Sequence, residues 1–106
     1  MHLRPRSAAI VTACAAEFDL LPSEILSKTR AQSKTRARHL AWYLMRRLLC
    51  KSDVEIGKLT GFDHSSVLHG IREVEWWIKK RPEDAESVFR RIRSQIDFEA
   101  EAQTAE

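Results

Sequence analysis

This chain of 106 residues predicts an all-α fold of about six helices with a helix-turn-helix among them. Two observations point there. Only three glycines and three prolines are available, too few for the turns of an all-β domain. The apolar residues also recur every three or four positions in one segment after another, the spacing that gathers them on one side of a helix. The length suits one domain, expected over 1–106 with flexible ends at 1–7 and 99–106. A mixture of 43% hydrophobic and 31% charged residues is that of a globular protein, not a disordered chain.

The elements follow in order. Ser7 is expected to cap a first helix running to about Asp19, with Ile10, Val11, Cys14, Ala15 and Phe18 on one face. The apolar run Ala8–Ala16 is the only stretch that imitates an export signal. Glu17 and Asp19 follow it at once, so it reads as a helix and no export is expected. No stretch approaches the ~20 apolar residues of a membrane span. Pro22 suits the first turn of a short helix over Ser23–Leu26, where its missing N–H costs nothing. After a basic loop, a long helix is expected at about Ser33–Cys50. Its apolar stripe is Ala37, Leu40, Ala41, Leu44, Met45 and Leu48. Arg36, Arg38, His39, Arg46 and Arg47 fall off that stripe and are expected to be free for water or phosphate. Ser52 or Asp53 opens a short helix with Val54, Ile56 and Leu59, and Gly61 suits its left-handed stop. Asp63 caps a longer helix to about Lys80, with Val67, Ile71, Val74 and Ile78 inward. Arg81-Pro82 ends it. The last helix carries Val88, Ile92 and Ile96, and its acidic tail, FEAEAQTAE, is expected to fray. Trp42, Trp76 and Trp77 are expected to complete the core.

Charge is unevenly spread. Residues 1–51 carry ten Lys/Arg against three Asp/Glu, and residues 52–106 carry eight against twelve. Within 28–51 there are eight basic residues and no acid. Such a run predicts a polyanionic partner for the first half. Cys14 and Cys50 stand alone, without a C-x-x-C pair. They predict reduced, buried thiols in a cytoplasmic protein.

The segment Asp53–Lys80 follows the helix-turn-helix plan, in which the second helix enters the major groove with its N-terminal residues at the base edges. That helix opens with Asp63, His64, Ser65 and Ser66, all able to hydrogen-bond. An Asp accepts from cytosine N4, and Ser pairs with several bases. The same Asp63 also reads simply as an N-cap, and His69 as a packed or surface histidine. Catalysis is not expected: His64 and its serine neighbours point in different directions from a helix start, and no paired carboxylates or metal-ligand cluster appear.

The stretch ILSKTRAQSKTRARHLAWYLMRRLL followed by EIGKLTGFDHSSVLHGIREVE resembles the C-terminal DNA-binding domain of the bacterial chromosomal replication initiator DnaA. Asp63-His64-Ser65-Ser66-Val67-Leu68-His69-Gly70 reproduces the core of that family's signature. Ser27-Lys28-Thr29-Arg30 and Arg36-Ala37-Arg38-His39 match its upstream basic motifs. The resemblance covers roughly 8–97. It implies a Trp-repressor-like helical fold and binding to double-stranded DNA at DnaA-box-like sites. It implies Arg30 in the minor groove, and Asp63, His64 and Ser65 reading bases in the major groove. Arg38, His39 and Ser66 then contact backbone phosphates, and Arg36 and Arg46 add to the same basic face.

The chain also departs from the family pattern. Its turn, Thr60-Gly61-Phe62-Asp63, is one residue shorter, and Phe62 replaces a basic residue. Ser65 and Ser66 stand where threonine is common, and His39 where glutamine is frequent. There is no G-x-x-x-x-G-K-S/T loop, so no nucleotide binding, no cofactor and no ATPase activity are expected. The expected role is a replication-related or regulatory factor at the nucleoid. Two alternatives remain open at this point: a transcription regulator on an unrelated operator, with a tryptophan surface for dimerisation, and a protein-interaction module using the basic face 28–51.

Overall fold

The computed structural model describes Leu3 and residues 5–104, with side chains described as far as Ile96. Six helices are present: α1 (Pro5–Glu17), α2 (Pro22–Ile25), α3 (Gln32–Leu49), α4 (Asp53–Thr60), α5 (His64–Lys80) and α6 (Pro82–Thr104). No strand occurs among the described residues, so the all-α expectation is met. None of the described helices is long and apolar enough to cross a membrane. The tail expected to fray continues α6 as far as Thr104, and residues 105–106 lie outside the described residues.

The helix ends show how local chemistry sets the architecture. α1 begins at Pro5, not after Ser7. Proline's fixed φ suits a first helical position, so Ser7 falls inside the helix. It is buried there, and its hydroxyl finds no partner among the described residues. The other end of α1 closes with Asp19 at a left-handed φ of 55°. The Leu20 amide donates to the Ala15 carbonyl at 2.8 Å and the Asp19 amide to Ala16 at 3.2 Å, the paired bonds that satisfy orphan carbonyls at a helix stop. Pro22 opens α2, as its sequence position predicts. α3 stops at Cys50, which also takes a left-handed φ, 54°. Ser52 caps α4 reciprocally with Glu55: each side chain accepts from the other's backbone amide at 3.1 Å, satisfying two orphan donors at once.

α1 packs against α6 and α3, α5 against α3, α4 and α6, and α2 fits between α1 and α3. Their shared core includes Ile10, Val11 and Cys14 of α1, Leu40, Ala41, Leu44 and Met45 of α3, Val67, Ile71 and Val74 of α5, and Ile92 of α6. Arg91 of α6 holds Glu17 of α1 through its Nε at 2.8 Å from one carboxylate oxygen. Not every expected core residue is inside. Leu48 and Val54 are exposed, and Trp76 keeps 61% of its surface in water. Trp76 lies two positions beyond buried Val74, about 200° round α5 and so on its outer side. Cys14 is buried, and burial, with the charge of Glu17 second, pushes its thiol pKa up. Cys50 is exposed, contrary to expectation: it is the cap residue beyond the end of α3, next to the exposed last turn that holds Leu48.

Where α3 and α5 cross, Gly70 lets the backbones approach. A Cβ at this position would lie 2.6 Å from both Trp42 Cε3 and His39 Cδ2. Alanine gains roughly 1 kcal/mol over glycine in helix propensity, but overpacking a fixed core costs typically ~1–3 kcal/mol. Trp42 is buried and has nowhere to go, so overpacking wins. Gly70→Ala is expected to lower stability by up to ~2 kcal/mol, read as a lower urea midpoint in circular dichroism.

Candidate nucleic-acid interface

The helix-turn-helix is made by α4, the three residues Gly61, Phe62 and Asp63, and α5. Gly61 provides the left-handed stop at φ 79°, a conformation glycine takes without a Cβ penalty. The amides of Gly61 and Phe62 both donate to the Gly57 carbonyl, at 2.8 and 3.0 Å. Asp63 then caps α5, its Oδ2 accepting from the Ser65 amide at 2.9 Å. That bond, with the Ser65 hydroxyl next, holds the Asp63 carboxyl below its usual range. Asp63 is therefore an ionised acceptor at neutral pH, and its Oδ1 lies 3.8 Å from His64 Nδ1. Asp63, His64, Ser65 and Ser66 are all exposed at the start of α5. The free amides of a helix start also favour an anion.

The angle between α3 and the helix-turn-helix is fixed from below by Trp42. Its indole N–H donates to Thr60 Oγ1 at 3.2 Å, and that hydroxyl donates to the Ile56 carbonyl at 2.8 Å. The Trp42 ring meets Phe62 edge-on at 5.2 Å and stacks on His39 at 5.6 Å. Phe62, which stands where the resemblance leads one to expect a cation, instead attracts two. The Arg38 guanidinium lies 4.7 Å from its ring centre, and the Lys28 ammonium 5.5 Å.

Arg38 corrects the sequence reading. It was expected off the apolar stripe and free for phosphate, yet only 5% of it is exposed. Its Nε donates to the Ile25 carbonyl at 2.6 Å. Its Nη2 donates to Ser27 at 2.5 Å and to Thr29 at 3.1 Å. The loop after α2 folds over α3 and leaves these carbonyls unpaired, and a buried arginine is the donor that serves them.

A groove opens between that loop and the start of α5. It is lined by Lys28, Thr29, Arg30, Thr35, Arg38, His39, Trp42, Phe62, Ser65, Ser66 and His69. The fold thus brings Arg30, Arg38, His39, Ser65 and Ser66 around one trench, with Asp63 and His64 at its α5 end. Arg36 lies in an adjoining groove that also contains Arg30, His39, Trp76 and Lys80. Arg46 is exposed but sits in the last turn of α3, some 15 Å along the helix from Arg36. It lines neither groove. Lys28, Thr35 and Phe62 belong to the trench but were not among the expected contacts. Lys28 could have been found as the lysine of the S-K-T-R motif. Thr35 and Phe62 have no such signal, since only the folded loop places them.

His39 is half-buried between Trp42 and His69, whose ring meets it edge-on at 6.1 Å. Arg38, Arg36 and Glu73 also act on it. Burial first, then the like charges of His69 and Arg38, push its pKa down to about 4. At neutral pH it is an uncharged hydrogen-bonding group in the wall of a basic groove.

A polar helix start, a basic loop opposite it and a tight glycine turn behind it define the class of helix-turn-helix DNA-binding modules. The comparisons with known sequences give the family. The sequence model described as "Bacterial dnaA protein helix-turn-helix" matches residues 7–74, and the chain belongs to that family. That description, a helix-turn-helix of a bacterial DnaA protein, agrees with a DNA-binding module. Among similar proteins, a chromosomal replication initiator protein DnaA of Lachnoclostridium phytofermentans is 42% identical over 74 residues, covering 69% of this chain and 16% of that protein. One of Nautilia profundicola is 41% identical over 78 residues, covering 73% and 17%. One of Rhodopseudomonas palustris is 32% identical over 83 residues, covering 74% and 18%. The chain therefore spans less than a fifth of the length of these relatives.

The His39 environment has a measurable consequence. The unfolded chain takes up this proton near pH 6.5, the folded chain only near 4. Stability from the neutral ring is complete above 6.5 and is lost as pH falls through that window. The melting temperature of the wild type should fall more steeply between those pH values than that of His39→Gln. Parallel curves for the two proteins would show that His39 is not held neutral.

Proposed function

We propose that this chain binds double-stranded DNA sequence-specifically at DnaA-box-like sites, as a replication-related or regulatory factor without ATPase activity of its own. One observation carries the reading: a single groove joins the loop bearing Arg30 to the polar start of α5. In the proposed complex α5 enters the major groove and Asp63, His64 and Ser65 face base edges. Arg30 reaches from its loop into the neighbouring minor groove, whose negative potential is strongest over A·T runs. Ser66, His39 and Arg36 position the backbone, joined by Lys28. Arg38 has a different part, because its Nε and Nη2 are committed inside the protein.

One feature favours a second reading. Trp76 is not in the core. It lies exposed on α5 with Lys80 5.3 Å from its ring. An uncovered tryptophan of this kind suits a self-association surface, as a regulator on an unrelated operator would need. A stable dimer in sedimentation, together with no preference for the box, would favour it.

The direct test is fluorescence anisotropy of a labelled DnaA-box duplex against a scrambled duplex over a salt series. Preference for the box with affinity falling steeply in salt is expected. Equal binding to both duplexes would place the true site elsewhere, and no binding would leave the basic face 28–51 to a protein partner. Arg30→Ala should cost ~1–3 kcal/mol on the box and relax specificity. Asp63→Asn separates reading from capping. Asparagine caps a helix about as well as aspartate but puts an amide N–H₂ where a carboxylate oxygen stood. Stability should be kept while box affinity drops by ~1–3 kcal/mol. Unchanged affinity would reduce Asp63 to a cap.

A further inference from the structure

Arg38 touches both walls of the groove. Its edge faces the loop. Nε and Nη2 bind the carbonyls of Ile25, Ser27 and Thr29, alternate residues that end immediately before Arg30. Thr29 is tied down further: its hydroxyl accepts from the Ala31 amide at 3.2 Å, and its carbonyl also accepts from the Thr35 hydroxyl at 3.5 Å. The backbone on both sides of Arg30 is therefore held from α3. The face of the same guanidinium lies 4.7 Å from the Phe62 ring centre. Phe62 is the residue before the Asp63 cap, and its ring is backed by buried Trp42 at 5.2 Å.

We propose that Arg38 is a positioning residue that locks the Arg30 loop to the start of α5, so that minor-groove and major-groove contacts are made in one register. This rests on the reading of Arg30 as the minor-groove arginine. Only a planar cation does both jobs. Guanidinium donors lie in one plane and reach several carbonyls along an edge, while the flat face stacks on an aromatic ring. A lysine would bring the charge but neither the fork nor the face. Burial adds force to the assignment. A cation 95% withdrawn from water is retained only where its hydrogen bonds are satisfied, and here the satisfying groups are those that shape the loop. Arg38 therefore acts through Arg30, in contrast to a phosphate contact acting for itself.

A pair of duplexes isolates the minor-groove term. Inosine·cytosine and guanine·cytosine pairs present the same major-groove edge and differ by the N2 amino group in the minor groove. Two box duplexes carrying one or the other in place of the A·T run give an affinity ratio that reports minor-groove reading alone. That ratio is measured by anisotropy for the wild type, Arg38→Lys, Arg30→Ala and the double variant, each over a salt series. The wild type is expected to prefer the inosine duplex by roughly tenfold, and Arg30→Ala to bring the ratio to about one. Arg38→Lys is expected to bring it most of the way to one with the salt slope unchanged, and to add nothing once Arg30 is gone. Phe62→Leu keeps the three carbonyl bonds and removes only the stacked face. It should lower the ratio while the far-ultraviolet helix signal and melting transition persist, so a folding defect in Arg38→Lys cannot imitate the result. A ratio that survives both Arg38→Lys and Phe62→Leu while Arg30→Ala abolishes it overturns the positioning role alone. So does Arg38→Met if it keeps the ratio and flattens the salt slope by about 0.9, the signature of one lost phosphate contact. A wild-type ratio near one, or one that Arg30→Ala leaves unchanged, overturns the minor-groove reading and this inference with it.

Discussion

Trp42 is the contact on which the rest of the arrangement depends. It is almost fully buried, and four parts of the protein meet on it. Its N–H reaches Thr60 at the end of α4, its ring meets Phe62 in the turn edge-on and stacks with His39 on its own helix, and its Cε3–Cζ3 edge, beside His39, admits the bare backbone of Gly70. A helix-turn-helix has little core of its own, since α4 is eight residues long. It is rigid only if something outside it holds both helices and the turn. A large flat side chain with one polar end does this. The ring provides area to several neighbours, and the single N–H has a partner, so burial leaves no donor unpaired.

That support shapes the electrostatics of the groove. Because α3 lies directly behind α5, its charged side chains are sorted by depth. Arg36 stays exposed, Arg38 is drawn under the loop, and His39 is pressed against indole and loses its proton affinity. Eight basic residues in 28–51 look equivalent in the sequence, but the fold divides them into surface cations, a structural cation and others that face elsewhere, such as Arg46. The number of positive charges thus overstates the number of phosphates the face could neutralise. Each arginine given to the protein's own carbonyls is one withdrawn from DNA.

The order and type of all six helices could be read locally, because core-facing apolar stripes, the prolines that open α1, α2 and α6 and the glycine that stops α4 are local signals. Gly61 and Asp63 were legible for that reason: a left-handed turn and a cap are decided by the residues that make them. Legibility ended where the deciding partner was distant in sequence. Ser7 looks like a cap until Pro5 is seen to start the helix. Trp76 and Trp77 are neighbours of identical chemistry, yet Trp77 packs near Phe89 of α6 while Trp76 does not pack into the core. Arg38 could not be recognised as buried, since its role is set by carbonyls 9–13 residues away on a loop with no regular pattern. Cys50 adopts a left-handed stop that glycine or asparagine would have announced.

Phe62 at the turn governs both the packing and the charge of the groove mouth. A basic residue before the Asp63 cap would place a cation at the mouth of the groove and would repel Arg38 behind it. Phenylalanine inverts the relation: its ring face attracts cations, worth about 0.5–1 kcal/mol at an exposed site and more when water is excluded. It therefore draws Arg38 and Lys28 toward the turn. Only three residues, Gly61 to Asp63, join α4 to α5, so little backbone is available to set the angle and side-chain packing contributes. Phe62 wedged between Trp42 and Arg38 is that packing. The same change lowers the charge at the groove mouth and stiffens the connection between loop and recognition helix. In the proposed complex these effects act in opposite directions, weakening the sequence-independent attraction to phosphate while sharpening the geometry with which bases are met.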